Sequence, residues 1–293
     1  MITGTVLLKQ FPRRVTFQLA ANQQGLLMPV GDVHYGSQAW PKTKFLDHLR
    51  WGMDRGAFFV GMGEYLDLAS FTQQKQIANL REDVKEMLDE MVRDQLGEFC
   101  ELISFTRGRW VGLLEGDHKW NFMDASSSGQ YVAGRLNTKF LGTSALIRLQ
   151  PIGRPVDHPE ADTMLFVHHG IGSSRLAGGH LHRVEDLLKW IQADVYLMGH
   201  SHAKVAAPVD RQVMTPDGVH HHRTTIIART GGFFRGYASH GPLKLTEPAF
   251  ESYGTYAEQK DYTPSAMGGL CIGIGYELVD GSEFYRPTLH VSL

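Results

Sequence analysis

The sequence is poor in cysteine and has no long apolar run. Cys100 and Cys271 are the only cysteines among 293 residues and lie far apart, so they can form neither a disulfide framework nor a CxxC site. The apolar stretches fall well short of the roughly 20 residues that a membrane-spanning helix needs. No basic leader with an apolar run and a small-residue cleavage site follows Met1. We therefore expect a cytoplasmic protein with no membrane partner.

The sequence also lacks an excess of charge of one sign. Its 29 Lys and Arg residues nearly balance 31 Asp and Glu residues, and no block of like charges occurs. Polymeric nucleic acid is therefore a less expected partner, whereas a nucleotide is compatible with this charge. The chain has no Walker loop, no G-x-G-x-x-G after a strand, no G-x-S-x-G elbow and no H-E-x-x-H motif. Nucleotide-fuelled, dehydrogenase, serine-hydrolase and zincin functions therefore have no support.

Histidine, by contrast, is abundant, with 15 residues that often come in pairs such as His168/His169 and His200/His202. Five short apolar runs have the pattern of buried strands, and a potential metal ligand follows each of them. The runs cover residues 25–30, 57–62, 110–115, 163–167 and 194–198. Because ligands bind at the carboxyl ends of strands in open α/β sheets, we expect these polar residues to converge on one site.

Apolar residues at helical spacing predict helices over residues 40–53 and 80–102. The first is expected to begin at the Pro41 turn, and the apolar stripe of the second, which includes Met87 and Met91, is expected to pack in the core. Residues 203–293 are rich in strand patterns and predict a second sheet packed on the first. Since no repeat or linker marks a boundary, we expect a single domain over residues 1–293.

The potential ligands belong to short motifs in a fixed order: Asp32-x-His34, Gly63-Glu64-x-x-Asp67, Gly116-Asp117-His118, His169-Gly170 and Gly199-His200-Ser201-His202. This set resembles the calcineurin-like metallophosphoesterase family, whose pattern is D-x-H, G-D-x-x-D, G-N-H, H-G and G-H-x-H. The resemblance covers about residues 26–203 and implies an α/β fold, a four-layered α/β/β/α sandwich. The tail segments Thr230-Gly-Gly-Phe-Phe, Tyr256-Ala-Glu-Gln-Lys and Tyr262-Thr-Pro resemble a phage and bacterial subgroup of that family.

The resemblance further implies a site for two divalent metal ions. The ligands of the first ion would be Asp32, His34 and His202, those of the second Asp117, His169 and His200, with Glu64 as the bridge. His118 would stand free of the ions and protonate the leaving oxygen, with Asp67 orienting its ring. Oxygen and imidazole ligands suit Mn, Fe, Ni or Zn, and the sequence does not choose among these metals.

Three positions depart from the family pattern or are ambiguous. Glu64 stands where the family has a bridging Asp, and its extra methylene could alter the spacing of the ions. Asp117 stands where the family has Asn and adds a negative charge. His168 and His169 are neighbours on a strand, so their side chains point to opposite faces and only one can reach the ions. We assign His169, because it directly precedes Gly170 as in the family motif.

These features predict a metal-dependent hydrolase of phosphomonoesters or phosphodiesters, with a small or nucleotide-like substrate. Arg175, in the loop after His169, could bind a substrate phosphate through its guanidinium group, or it is an exposed loop residue. One alternative is a metal-dependent nuclease, which a strongly salt-dependent affinity for DNA would reveal. Another is a non-catalytic binding module that keeps the fold. Retention of His118 and of every class of ligand favours the enzyme.

Overall fold

The structure is a computed structural model that describes residues 13–20, 25–37, 39–68, 71–152, 162–172, 174–214, 218, 220–234, 236–237, 264–278 and 285–293. These residues form a mixed α/β protein with two mixed β-sheets and flanking helices. Two of the tail segments that carry the subgroup resemblance, residues 256–260 and 262–263, lie outside the described residues.

All five runs predicted as buried strands are strands in the structure. In chain order the strands are β1 (Arg13–Ala20), β2 (Gly25–Val30), β3 (Phe58–Gly61), β4 (Trp110–Leu114), β5 (Phe140–Gly142), β6 (Ser144–Ile152), β7 (Thr163–His168), β8 (Val195–Met198), β9 (Lys204–Met214), β10 (His220–Gly232), β11 (Gly268–Gly269), β12 (Cys271–Leu278) and β13 (Tyr285–Ser292). The predicted runs correspond to β2, β3, β4, β7 and β8.

Both predicted helices are also present. The helices are α1 (Lys42–Asp54), α2 (Phe71–Ile77), α3 (Glu82–Leu102), α4 (Ser128–Arg135) and α5 (Ala177–Glu185), with short 3₁₀ turns at Ser104–Thr106 and Asp186–Lys189. Helix α1 begins directly after Pro41, as its sequence predicts. Within the described ranges, no helix combines the length and the apolar character that crossing a bilayer requires.

The six-stranded sheet has the order β13-β12-β2-β3-β4-β5, and the neighbours from β2 to β5 are parallel. The seven-stranded sheet has the order β1-β6-β7-β8-β10-β11, with β9 paired to β10. In this second sheet β7, β8 and β10 run parallel to one another. The strands that carry the motifs are therefore divided between the two sheets.

The prediction that residues 203–293 form a second sheet packed on the first is correct only in part, since this segment is rich in strands but is divided between the two sheets. Strand β10 pairs in parallel with β8, whereas β12 pairs antiparallel with β2, so the C-terminal segment supplies strands to both sheets. Alternating apolar residues show that a segment is a strand with two distinct faces. They do not show which open edge the strand will pair with, because that choice depends on partners far away in the sequence.

Strand residues alternate between a core that lies between the sheets and the helices outside them. In β2, Leu27 belongs to the core between the sheets and Met28 to the helix side. In β8, Leu197 faces the core between the sheets and Tyr196 packs near α5. Because every second side chain points the same way, each strand is apolar on both faces. This explains why the motif strands are continuous apolar runs.

The helices pack on the outer faces of the two sheets. Phe45 of α1, Leu96 and Phe99 of α3 and Val132 of α4 share one apolar cluster with residues of the six-stranded sheet. Val184 of α5 shares a different cluster with residues of the seven-stranded sheet. Full burial of side chains of this size stabilises the fold by about 1.5–3 kcal/mol each. These layers hold the strand ends, and thus the motif loops, in fixed positions.

The prediction that the whole stripe over residues 80–102 packs in the core is only half correct. Leu96 and Phe99 are buried, but Met87 is 53% exposed and Met91 is 60% exposed. The 21 residues of α3 make a helix about 31 Å long. Strands of the six-stranded sheet such as β2, with 6 residues, span only about 20 Å. The N-terminal turns of α3 therefore have less sheet to cover.

Candidate metal centre

The motif residues lie in loops that follow strand ends of both sheets. Backbone hydrogen bonds join these loops: Asp32 N donates to Gly63 O at 3.0 Å, and Phe233 N donates to Asp32 O at 2.8 Å. The backbone N–H of His200 in turn donates to Oδ2 of Asp32 at 2.9 Å. The strand ends of the two sheets therefore meet at Asp32.

The structure brings all seven predicted metal ligands together in two groups of four that share Glu64. The first group is Asp32, His34, Glu64 and His202, and the second group is Glu64, Asp117, His169 and His200. Within each group, one nitrogen or oxygen atom of every residue lies within 4.8 Å of the others. These groups, whose members are buried or half-buried except for the exposed Asp117, could hold a metal ion.

In the first group, three side chains point at a common centre. Nε2 of His34 is 3.0 Å from Oε2 of Glu64 and 3.2 Å from Nε2 of His202. Oδ1 of Asp32 is buried, has no hydrogen-bond partner within the described chain and lies 4.0 Å from Nε2 of His202. A buried carboxylate oxygen without a partner is costly unless a cation or a donor meets it. The donor set therefore fits a metal ion.

In the second group, one carboxylate faces two imidazoles. Oδ1 of Asp117 is 2.8 Å from Nε2 of His169 and 3.0 Å from Nδ1 of His200. The other ring nitrogen of His169, Nδ1, donates to the carbonyl oxygen of Met62 at 2.6 Å. This bond leaves Nε2 as the ring nitrogen that is directed at the group, an arrangement typical of imidazole metal ligands. His168 faces elsewhere, since its Nδ1 accepts from the N–H of Gly170 at 2.7 Å.

Glu64 connects the groups through its two carboxylate oxygens. Oε2 faces His34 at 3.0 Å, whereas Oε1 faces His169 at 3.4 Å. A Cβ atom on Gly116 would lie 2.7 Å from Cγ of Glu64, and one on Gly63 would lie 2.6 Å from Nδ1 of His169. The lack of a side chain at Gly116 therefore leaves room for Glu64, and its lack at Gly63 leaves room for the ring of His169.

Backbone strain is concentrated at the site. Asp32, His34, Glu64, His200 and His202 all adopt positive φ angles, between 48° and 69°, and only two other non-glycine residues of the described chain do so. Each such conformation costs on the order of 1–3 kcal/mol and persists only where the surrounding structure enforces it. Concentration of this strain at five predicted ligands indicates that the fold is organised around their geometry.

The electrostatics reflect carboxylates and imidazoles that lie close together and are largely buried. Burial would raise the pKa of Glu64, but hydrogen bonds from His169, His202 and His34 hold it well below its usual range. Burial likewise opposes protonation of His34, yet its bonds to Asp67 and Glu64 raise its pKa to about 10. For Asp32, burial and the nearby Glu64 both raise the pKa. Such a cluster attracts cations strongly, because its negative charges lie in a poorly solvated environment.

His118 and Asp67 lie beside the first group. With His34 they form a third cluster whose ligand atoms are within 4.8 Å of one another. The ring of His118 meets the ring of His34 edge-on at 5.8 Å, and its Nδ1 is buried without a hydrogen-bond partner in the described chain. Arg175 is exposed and outside these clusters, so its contact with a substrate phosphate stays a prediction.

Sequence reasoning missed two residues next to the ligands. The half-buried ring of Phe234 lies 5.1 Å from that of His34 and 5.6 Å from that of His202. Arg229, a fully buried guanidinium, donates to the carbonyls of Gly199 at 2.9 Å and His180 at 3.0 Å. A charged residue inside the apolar run of β10 was the available signal for Arg229, since a buried Arg requires partners.

Comparison of the chain with protein-family models and with curated proteins finds no match. The metallophosphoesterase resemblance therefore depends on the order and spacing of the motifs. The geometry described above is independent of that resemblance.

Proposed function

We propose that this protein is a metal-dependent phosphoesterase that holds two divalent cations and hydrolyses a small or nucleotide-like phosphate ester. The observation that carries the proposal is the pair of ligand groups joined by Glu64. Each group offers three residues of its own plus one oxygen of Glu64. We also propose that the two sheets with helices outside each form a four-layered α/β/β/α sandwich of the metallophosphoesterase type.

The donor set suits this chemistry. Carboxylates and imidazoles bind Mn, Fe, Ni or Zn well, and cations of this kind neutralise a phosphate and make a water molecule more acidic. The ligands Asp32, Glu64 and Asp117 bring three negative charges that two such ions would offset. Nearby positive φ angles and the hydrogen bond from His200 N to Asp32 fix the side chains in advance. Preorganisation of this kind reduces the cost of binding.

His118 is proposed to donate a proton to the leaving oxygen. It lies outside both groups of four but within 4.8 Å of His34, through the third cluster. It is half-exposed, so a substrate can reach it. A positioned acid contributes most when the leaving group is a strong base.

The proposal is tested by metal content and by turnover. Elemental analysis after metal loading should approach two equivalents per chain. A panel of phosphomonoesters, phosphodiesters, cyclic nucleotides and DNA should reveal turnover of small esters that depends on the metal. The chain, with net charge −2, should show little of the steep salt dependence that binding to DNA gives. A metal-free protein that turns over the esters equally well would overturn the proposal, and cleavage of DNA alone would favour a nuclease.

His118→Ala should retain both ions and slow turnover by roughly 10²- to 10⁴-fold, the usual contribution of a general acid. The loss should be smaller for nitrophenyl esters than for alkyl esters, because nitrophenolate leaves without help from an acid. His182→Ala is the matched control, since that side chain is 72% exposed on α5. An equal loss for both classes of ester would argue against the acid role.

A further inference from the structure

Asp67 lies between two histidines with different proposed roles, the ligand His34 and the acid His118. Its Oδ1 is 3.2 Å from Nδ1 of His34, within hydrogen-bond distance. Nδ1 of His118, by contrast, is buried and has no hydrogen-bond partner among the described residues. The carboxylate of Asp67 is therefore placed to accept a hydrogen bond from the proposed metal ligand His34.

The backbone also fixes Asp67 beside His34. The N–H of His34 donates to the carbonyl of Glu64 at 3.1 Å, and the N–H of Asp67 donates to the carbonyl of Tyr35 at 2.9 Å. Tyr35 and Leu66 form a parallel bridge between the two loops. The loop that carries Asp67 is thus hydrogen-bonded to the loop that carries His34 on both sides of the contact.

The contact selects the ring nitrogen that His34 offers to a metal. When Nδ1 carries the proton and donates it to Asp67, Nε2 is left with a free lone pair. Nε2 is the atom that lies 3.0 Å from Glu64 and 3.2 Å from His202, at the centre of the first group. A carboxylate partner of this kind fixes the tautomer and the ring orientation and makes the imidazole a better ligand.

We propose that Asp67 is a positioning residue for the metal ligand His34, and that it acts on the first ion instead of orienting His118. The inference rests on the proposed function for the identity of the site as a metal centre. It differs from the pairing of Asp67 with His118 that the motif resemblance implies. If Asp67 positions His34, its loss should weaken metal binding. If it orients His118, its loss should leave metal binding unchanged.

The test compares Asp67→Asn and Asp67→Ala with the wild-type protein by calorimetric titration with Mn²⁺, without any substrate. We expect one of the two ions to bind about 10- to 100-fold more weakly in Asp67→Ala, the usual loss when a metal-ligating imidazole loses its hydrogen-bond partner. Asp67→Asn should lose less, because its amide oxygen still accepts from Nδ1. Asp47→Asn, an exposed change on α1, is the control. Circular dichroism melts identify a variant that fails to fold, and Asp67→Asn then carries the test.

Turnover at saturating metal provides the second measurement. If Asp67 acts through His34, nitrophenyl and alkyl esters should lose rate by the same factor once the ions are restored. Unchanged metal affinity in both variants, together with a loss confined to alkyl esters, would overturn the inference in favour of the pairing with His118. If the wild-type protein binds ions but hydrolyses no ester, the proposed function fails, while the titration still decides the role of Asp67.

Discussion

The first ligand group is buried more deeply than the second. Asp32, the carboxylate that belongs to the first group alone, is 0% exposed, whereas the side chain of Asp117 in the second group is 48% exposed. Backbone strain is also greater in the first group than in the second. All four residues of the first group have positive φ, but in the second group only the shared Glu64 and His200 do. The first half of the centre is therefore held more firmly by the backbone, and the second half opens to solvent at Asp117.

This difference has a physical consequence for metal binding. A buried carboxylate keeps most of its attraction for a cation, because neither water nor salt screens it well. The strained ligands of the first group are already in place, so an ion bound there need not organise them. We therefore expect the first ion to bind more tightly than the second, and the second to exchange more readily.

Glu64→Ala should have the largest effect, because it removes the ligand that the two groups share. We expect the affinity for both ions to fall by more than the ~10- to 100-fold that is lost when a metal ligand loses its hydrogen-bond partner. Titration with Mn²⁺ measures both affinities in one experiment. Glu64→Asp is the matched variant, since it keeps the carboxylate on a shorter side chain, and it should retain measurable binding and turnover. If Ala and Asp behave alike in metal content and rate, Glu64 does not bridge.

Removing one imidazole from each group in turn tests the comparison between the groups most directly. His202→Ala should weaken the tighter of the two ions, whereas His200→Ala should weaken the looser one and leave the tighter ion within about twofold. Each loss should reach at least roughly 10-fold. Stepwise titration of each variant with Mn²⁺ resolves the two affinities. If both variants lose the same ion, the division of the ligands into two groups is wrong.

Much of this site was predictable from the sequence for a simple reason. A buried strand is an apolar run, and its end is the first polar residue after it, as at Asp32 and His200. Because parallel strands end at the same edge of a sheet, residues at such ends lie close together whatever the details of the fold. This argument brings together the ligands that follow β2, β3 and β4, and separately those that follow β7 and β8, whereas the meeting of the two sets depends on how the sheets pack.

The features that escaped prediction all depend on contacts distant in sequence. The spacing of Met87 and Met91 predicts that they lie on one face of a helix. It does not predict how much of the sheet is available to cover that face. The pattern of β12 gives a strand, but not its pairing with β2. The choice of Asp67 between His34 and His118 depends on side-chain positions within a cluster whose ligand atoms all lie within 4.8 Å of one another. The order of the motifs predicts which residues come together. The packing of the side chains decides which of their atoms are in contact.

Asp117→Asn should have the smallest effect and should act on the second ion alone. The change introduces the residue of the motif that the sequence resembles and keeps an oxygen ligand, but it removes one negative charge from a side chain that is 48% exposed. Since water screens such a charge, we expect about a tenfold loss of affinity for the looser ion, or roughly 1.4 kcal/mol, which shrinks as salt is added. Asp124→Asn, an exposed change in the same loop, is the control. A loss at the tighter ion, or one that salt leaves unaltered, would show that the two halves of the centre are not electrostatically distinct.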